Sequence, residues 1–460
     1  MNSATRAFLT AFLVPALVAT TCALFMYHVL FKDALRTEER DEMAWIMDAA
    51  RLVSDRYYEQ TRPEELAYDA IRGIVNRDPY SQFIDPDMED EFTEENEGNY
   101  VGIGFMIYGD APAVTVLYAF PGSPAEGAGL GPGDRIVGVD GVDTREMSTQ
   151  AVTDLIKVKD GEGKPVDLRI QPWAPEGETA DPYERKVLRA RIWRPSVVDP
   201  RIVDPERGIG YVRMKQFQER SVDELEEALN RLALDGMKSL VLDLRGNRGG
   251  FLDQAIEVTS LFLDDGIVLR TEGRTPGTNE VYRTSKREAT FRGVPLALLV
   301  DRASASATEI VAGALQDHLR ATLVGDRTFG KGMVQSVIPR RYVVDGEERI
   351  ARIKITTSRW ITPAGRSLER LRRRNDDPQR FVEDRGLHPD LFVPIRTHGE
   401  QRWLYGDLAD REIDEETWAE IAERCPAHER NVESEDGHVD RQLRAAVDQL
   451  RGEKVFPAID

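Results

Sequence analysis

Ser306 and Lys331 are the two side chains in this sequence whose types and spacing point most directly to nucleophilic chemistry. Ser306 stands where a helix is expected to open, just after the buried apolar strand Leu296–Val300. A serine there has its hydroxyl near unpaired backbone N–H groups and the positive end of the helix dipole, which help an attacking oxygen and a developing oxyanion. A hydroxyl needs a base at neutral pH, and no histidine lies between Val300 and Asp317. The next candidate downstream is Lys331, 25 residues on, and serine–lysine pairs are a recognised variant of the serine–histidine–acid arrangement. The lysine acts as a base only when neutral, so burial has to bring its pKa from about 10.4 towards 7, a shift worth roughly 4 to 5 kcal/mol. Its flanks suit that demand: Phe329, Met333 and Val334 are apolar, Gly330 and Gly332 allow close backbone approach, and no carboxylate lies within four residues on either side. If residues 332–336 are extended, Lys331, Met333 and Gln335 share one face, where Gln335 can hold the amine by a hydrogen bond without charging it. On residue chemistry alone Ser304 competes for the nucleophile's place. The plainer readings are an N-cap serine and an anion-binding lysine.

The elements that must position these groups follow from the pattern around them. Residues 295–336 read as a strand, a small-residue turn, the helix opening near Ser306, a second strand over 321–324 and the glycine loop carrying Lys331. From Arg207 onward strands alternate with helices, as in a helix over 222–234 and a strand over 239–244, which predicts an α/β core. That last strand runs into Asp243-Leu244-Arg245-Gly246-Asn247-Arg248-Gly249-Gly250, and the chain then returns to helix. Glycines between a strand and a helix expose backbone N–H groups suited to an oxyanion, although a structural turn is the commoner reason for such a loop.

Upstream, residues 41–95 carry apolar residues at helical spacing, and Pro63 followed by Glu64 and Glu65 marks a helix start. From Gly98 to about Trp193 the texture changes to short strands and glycine turns. Residues 172–182 read as an exposed loop insertion, and residues 370–380 as a charged, solvated one. Residues 8–31 form a largely apolar run of 24 residues, long enough at about 1.5 Å per residue to cross a bilayer core of about 30 Å. No convincing small-residue cleavage site precedes Lys32, so an uncleaved anchor is expected. The charge flanks, Arg6 before and Lys32, Arg36 and Arg40 after, do not favour the amino end inside.

Composition narrows the function classes. The 460 residues suffice for two or three domains, and the formal charge of −20 argues against a nucleic-acid partner. Two cysteines, Cys22 and Cys425, and six scattered histidines without an HExxH pattern give neither a disulfide framework nor a metal site. No metal and no organic cofactor is expected.

The strings Ser304-Ala305-Ser306-Ala307-Thr308-Glu309 and Phe329-Gly330-Lys331-Gly332 resemble the signature of the C-terminal processing peptidases, also called tail-specific proteases, which are PDZ-bearing Ser-Lys serine peptidases. Residues 100–105 resemble a PDZ carboxylate-binding loop, and residues 121–141 a PDZ helix and turn. The Asp78-Pro79-Tyr80-Ser81 turn, residues 362–366 and residues 386–390 match further family elements in family order. The resemblance covers roughly residues 43–395. It implies Ser306 as nucleophile over Ser304, Lys331 as base and Gln335 as its support, with oxyanion donors at Gly249 or Gly250 and at Ala307. It also implies capture of a chain-terminal carboxylate by the N–H groups of Gly102, Ile103 and Gly104 while the peptide adds as a strand. Thr308 departs from the family's serine and is expected to be tolerated. Arg248 replaces its proline and leaves the donor glycine open.

The expected architecture is α/β and multidomain: an N-terminal transmembrane helix and juxtamembrane segment (1–40), a helical segment (41–97), a PDZ-like β-rich domain (98–194), a crotonase-like α/β peptidase core (195–396) and a C-terminal helical extension (397–460). The expected function is a serine endopeptidase that cleaves protein substrates near their C-termini through an acyl-enzyme. Its partners would be substrate tails and the membrane, and the resemblance implies a second copy in a homodimer or higher oligomer and, against the charge flanks, a catalytic domain outside the cytoplasm, in a bacterial periplasm. Two rivals stay open: a non-catalytic PDZ scaffold, and an acyl-thioester enzyme on a crotonase-like core.

Overall fold

The structure is a computed structural model that describes residues 44–109, 113–157, 161–175, 178, 180–285, 289–344, 347–369, 385–396, 398, 401, 404–405, 413–425 and 439–453. The chain divides into two compact units, Met1–Pro86 with Val337–Ile355, and Asp87–Ser336 with Thr356–Asp460.

In the first unit, Pro63 at the first turn and the acidic pair Glu64 and Glu65 open α1 (Pro63–Val75). β1 (Gln82–Ile84) pairs antiparallel with residues 352–354. The Phe83 ring meets Tyr68 tilted at a centroid separation of 5.6 Å and Tyr342 edge-on at 6.3 Å, beside buried Ala351. Residues 337–355, which the sequence assigns to the peptidase segment, group with the N-terminal helices through this pairing and this small aromatic core.

The second unit begins with α2 (Glu89–Glu97) and β2 (Asn99–Gly102). It continues through β3 (Phe105–Tyr108), β4 (Val114–Ala119), the single turn α3 (Pro124–Gly127), β5 (Arg135–Val139), β6 (Val142–Asp143), α4 (Thr149–Ile156), β7 (Pro165–Gln171) and β8 (Tyr183–Leu188). These strands form an antiparallel sheet in the order β3-β4-β5-β7-β8, with β6 on β5. The period of two is plain in β7, where Val166, Leu168 and Ile170 are buried and Asp167 and Arg169 exposed. Val152 and Ile156 of α4 pack into the same core, and β3 is left as an edge strand. β9 (Ala190–Trp193) returns to pair with β2.

The rest of the chain runs through β10 (Val197–Asp204), β11 (Ile209–Met214), α5 (Ser221–Leu234), β12 (Ser239–Asp243), α6 (Leu252–Phe262), β13 (Ile267–Gly273), β14 (Val281–Arg283), β15 (Leu296–Val300), α7 (Ala307–Asp317), β16 (Thr322–Gly325), β17 (Met333–Val344), β18 (Glu347–Ile361), β19 (Leu391–Phe392), α8 (Glu415–Arg424) and α9 (Arg441–Arg451), of which residues 337–344 of β17 and 347–355 of β18 belong to the first unit. The main sheet has the order β10-β11-β12-β15-β16-β19, parallel except for β10. An unbroken apolar strand such as Leu296–Val300 needs cover on both faces. Leu240, Leu242, Leu296, Leu298 and Val300 join the core built with α5, α6 and α7. Val241, Ala297, Leu299 and Val324 face the other way, against Ala445, Ala446 and Val447 of α9. Most of the sheet's second face is thus closed by a helix from the far end of the chain. Before it, α8 sets Trp418 and Ile421 on Leu117 of β4.

Because β12, β15 and β16 are adjacent and parallel, the loops at their carboxyl ends lie side by side, the usual place for a site in an open α/β sheet. They are the glycine loop after Asp243, the turn before α7 and the loop that carries Lys331.

The expected transmembrane helix requires correction. Residues 8–31 lie outside the described residues, and among those described no helix is long and apolar enough to cross a membrane. The longest named helix, α5, has 14 residues, against the about 20 that a spanning helix needs. The fold supported among the described residues is the PDZ-like domain with the α/β core; the spanning helix and the membrane contact drawn from it are not supported.

If α9 closes the sheet, Ala446→Asp buries an unpaired carboxylate there and should cost more than about 3 kcal/mol, read as a lower urea midpoint. An unchanged midpoint would mean that α9 does not hold this face.

Candidate active site

Ser306 is the residue immediately before α7, with φ 59° and ψ −119°. A non-glycine residue there carries strain of about 1–3 kcal/mol and has to be held by its surroundings. The holding group is Glu309, three residues on and wholly buried. Its Oε2 accepts the Ser306 N–H at 3.0 Å and the Lys331 N–H at 2.9 Å. Its Oε1 accepts the Thr328 hydroxyl at 2.5 Å and the Gly330 N–H at 2.7 Å. One carboxylate oxygen therefore brings the backbone nitrogens of residues 306 and 331 to within about 6 Å of each other. Burial raises the Glu309 carboxyl above its ordinary range, opposed by the bonds from Thr328, Lys331, Gly330 and Ser306.

The Lys331 loop is fastened at further points. Phe329 N–H donates to the Ser304 carbonyl at 2.9 Å, and the indole N–H of buried Trp360 donates to the Lys331 carbonyl at 3.0 Å. Gly332 N–H donates to Glu369 Oε2 at 2.9 Å. Lys331, with no carboxylate within four residues in its own sequence, has two brought to its loop from elsewhere in the chain, both engaged with the loop's backbone. Gln335 lies in β17, and its amide donates to Thr356 Oγ1 at 3.3 Å.

Ser304 and Ser306 have different surroundings. Ser304 is fully buried, its hydroxyl donating to the Leu244 carbonyl at 2.9 Å and accepting the Asp301 N–H at 3.0 Å. Ser306 is partly exposed. The glycine loop presses on it: a Cβ placed on Gly249 would stand 2.8 Å from Ser306 Cβ and 2.9 Å from the Ala307 nitrogen. Gly249 has φ 96°, and its N–H is taken by Asn247 Oδ1 at 2.9 Å; Gly250 follows with φ 149°. The Asn247 carbonyl accepts the Ala305 N–H at 3.0 Å and the Thr308 hydroxyl at 2.9 Å. Thr308 therefore supplies a hydroxyl bond that a serine could also make. Arg248 is exposed.

Ahead of the PDZ-like sheet, Gly102 closes β2 opposite Ala190 of β9. The Ile103 carbonyl accepts the Ala125 N–H at 2.8 Å, and the Gly104 carbonyl accepts the Phe120 N–H at 3.0 Å. Gly104 has φ 78°, and a Cβ there would meet Ser123 at 2.5 Å, so glycine is required. These residues lead directly into the edge strand β3.

A model of Peptidase family S41 matches residues 208–376, and a PDZ domain model matches residues 115–171. The carboxy-terminal-processing protease of Bartonella bacilliformis is 32% identical over 359 residues, covering 76% of this chain and 75% of its own. The chain belongs to peptidase family S41. The carboxyl-terminal-processing protease of Picosynechococcus sp., another relative, is 32% identical over 378 residues, 77% of this chain and 84% of that one. The solved structure of photosystem II D1 C-terminal processing protease gives a TM-score of 0.41 at 27% identity, covering 80% of this chain and 98% of that one. This S41 chain is a serine peptidase of the carboxy-terminal-processing kind with a PDZ domain for peptide C-termini.

Sequence reasoning missed Glu309, although its signal was there. Serine followed three residues later by glutamate at a helix start is the capping-box pattern, in which the acid bonds back to the N-cap N–H. The Asn247 and Trp360 contacts carry no local signal.

Glu309→Gln keeps the shape but turns an amide N–H₂ towards donors. It should cost about 2–4 kcal/mol, read from urea midpoints, and lower turnover. Because burial raises this carboxyl, its stability contribution is fully present below the ordinary carboxylate range and is lost as pH rises through the raised value. The stability of wild type relative to Glu309→Gln should therefore fall with rising pH across that window, measured by thermal unfolding. A flat difference would contradict it.

Proposed function

We propose that this S41 peptidase cuts protein substrates near their C-termini through a Ser306–Lys331 dyad. The observation that carries the reading is the Glu309 carboxylate, one oxygen of which takes the N–H groups of both residues. Neutral Lys331 accepts the Ser306 hydroxyl proton as Oγ attacks the scissile carbonyl and the carbonyl electron pair moves onto oxygen. The resulting oxyanion sits between the N–H groups of Ala307 and Gly250. Gly250 is preferred to Gly249, whose N–H is engaged by Asn247. Collapse breaks the C–N bond, the lysine ammonium returns its proton to the leaving amine, and water then releases the acyl group by the same steps. Gln335 orients the lysine amine. The substrate tail adds to the free edge of β3, its terminal carboxylate held by the N–H groups of the loop 102–104.

Ser306→Ala should abolish cleavage of a tailed protein substrate and labelling by a fluorophosphonate, while binding of a C-terminal peptide stays at the wild-type level. Residual cleavage, or labelling that moves to Ser304, would sink the assignment.

The base makes a second demand. kcat/KM should fall on acidification as Lys331 takes up its proton, and Gln335→Ala should displace that limb. A profile identical in the Gln335 variant would remove Gln335 from the mechanism. Substrate proteins captured by Ser306→Ala and identified by their termini would name the substrate class.

A further inference from the structure

The Arg245 side chain is wholly buried at the start of the glycine loop, and a cation there needs its fork filled. Asp243, two residues earlier at the end of β12, fills part of it, at 2.9 Å from Nε and 2.5 Å from Nη2. The rest is filled from the chain's far end. Asp440, the residue that caps α9, takes Nη1 and Nη2 at 2.8 Å each, and Gln442 Oε1 accepts from Nη1 at 3.2 Å. The next loop residue is gripped as well. Gly246 N–H donates to both Asp301 oxygens at 3.1 Å, and the Tyr405 hydroxyl donates to Asp301 Oδ2 at 2.5 Å. The Tyr405 ring lies against Gly246, where an added Cβ would meet its edge at 3.1 Å. Asp301 Oδ1 also accepts the N–H groups of Ala303 and Ser304, so it joins the glycine loop to the turn that carries Ser306.

We propose that Asp440 and Tyr405, both from the C-terminal extension, are positioning residues that set the oxyanion loop against Ser306 by holding Arg245 and Gly246. The proposal rests on the assignment of Ser306 and the glycine loop given above. Neither side chain touches the substrate. Each acts through the loop, whose displacement by a fraction of an ångström takes the Gly250 N–H away from the position of the developing negative charge. The loss therefore falls on turnover and not on recognition of the tail, which occurs in the separate PDZ-like sheet.

The experiment uses the full chain and compares Asp440→Asn, Asp440→Glu and Tyr405→Phe with wild type, all normalised to folded protein by near-UV circular dichroism. The readouts are kcat, KM, C-terminal peptide binding, the acid limb of kcat/KM, and affinity for a peptidyl boronate, whose tetrahedral oxygen mimics the oxyanion. Asp440→Asn is expected to lower kcat about 10-fold or more, since misplacing or removing an oxyanion donor costs on the order of 100-fold. Boronate affinity should weaken in parallel, while peptide binding and the acid limb stay in place. Tyr405→Phe, which removes only a hydroxyl, should show a smaller loss of the same kind, and Asp440→Glu should recover part of the activity. If folded Asp440→Asn and Tyr405→Phe keep kcat and boronate affinity within about twofold of wild type, the positioning role is wrong. So it is if peptide binding falls as far as kcat. Ser306→Ala run alongside separates the two readings: activity in that variant overturns the dyad assignment and this proposal with it, whereas the outcomes above, with Ser306→Ala inactive, overturn this proposal alone.

Discussion

The site depends on one buried carboxylate with four donors. Among the described residues no cation bonds to Glu309; its charge is met by two loop N–H groups, one hydroxyl and the N–H of the strained residue before its helix. Taking a carboxylate out of water is unfavourable, and only a full set of donors offsets it. That same set joins two separate stretches of chain. The α7 start and the loop 328–331 that carries Lys331 cannot move apart without leaving a charge unsatisfied in the interior. The unusual φ at Ser306 persists because of this over-determination.

Around that centre the support widens in layers. Asn247 ties the glycine loop to Ala305 and Thr308, and Trp360 fixes the far side of the Lys331 peptide. Residues 362–366 and 386–390 bind the last turn of α7. Ala364 N–H and the Arg366 side chain reach Asp317, and Gln316 reaches the His388 carbonyl at 3.0 Å. Of the family elements noted along the sequence, residues 329–332 thus meet α7 at its start and residues 362–366 and 386–390 at its last turn, which gives their residue types a packing reason.

Much of this was legible in the sequence because its signals are local. The run Leu296–Val300 reads as a buried strand from apolarity and length, α7 from its small-residue turn, and the residues flanking Ser306 and Lys331 from their type. The choice between Ser304 and Ser306 was not local. Both are serines in the same turn, and only the contacts with Leu244 and Asp301, made across sheet neighbours, distinguish the saturated hydroxyl from the exposed one. The membrane helix was inferred from apolar length alone, and no described helix carries that pattern. The C-terminal extension read as helical, with nothing to say what it covers. That its alanines close the sheet's second face follows from close approach of a small-residue helix, which leaves no apolar peak in the sequence.

The closing of that face by α9 bears on the order in which the molecule can form. A chain emerging from the ribosome offers its early segments first, so Ser306, Lys331 and the glycine loop all appear while Val241, Ala297 and Leu299 still lack their cover. Arg245, too, has only Asp243 to meet its charge until Asp440 arrives. The nascent chain therefore contains Ser306 and Lys331 well before the sheet that mounts them is covered on both faces, so the last helix to be made is the one that completes it.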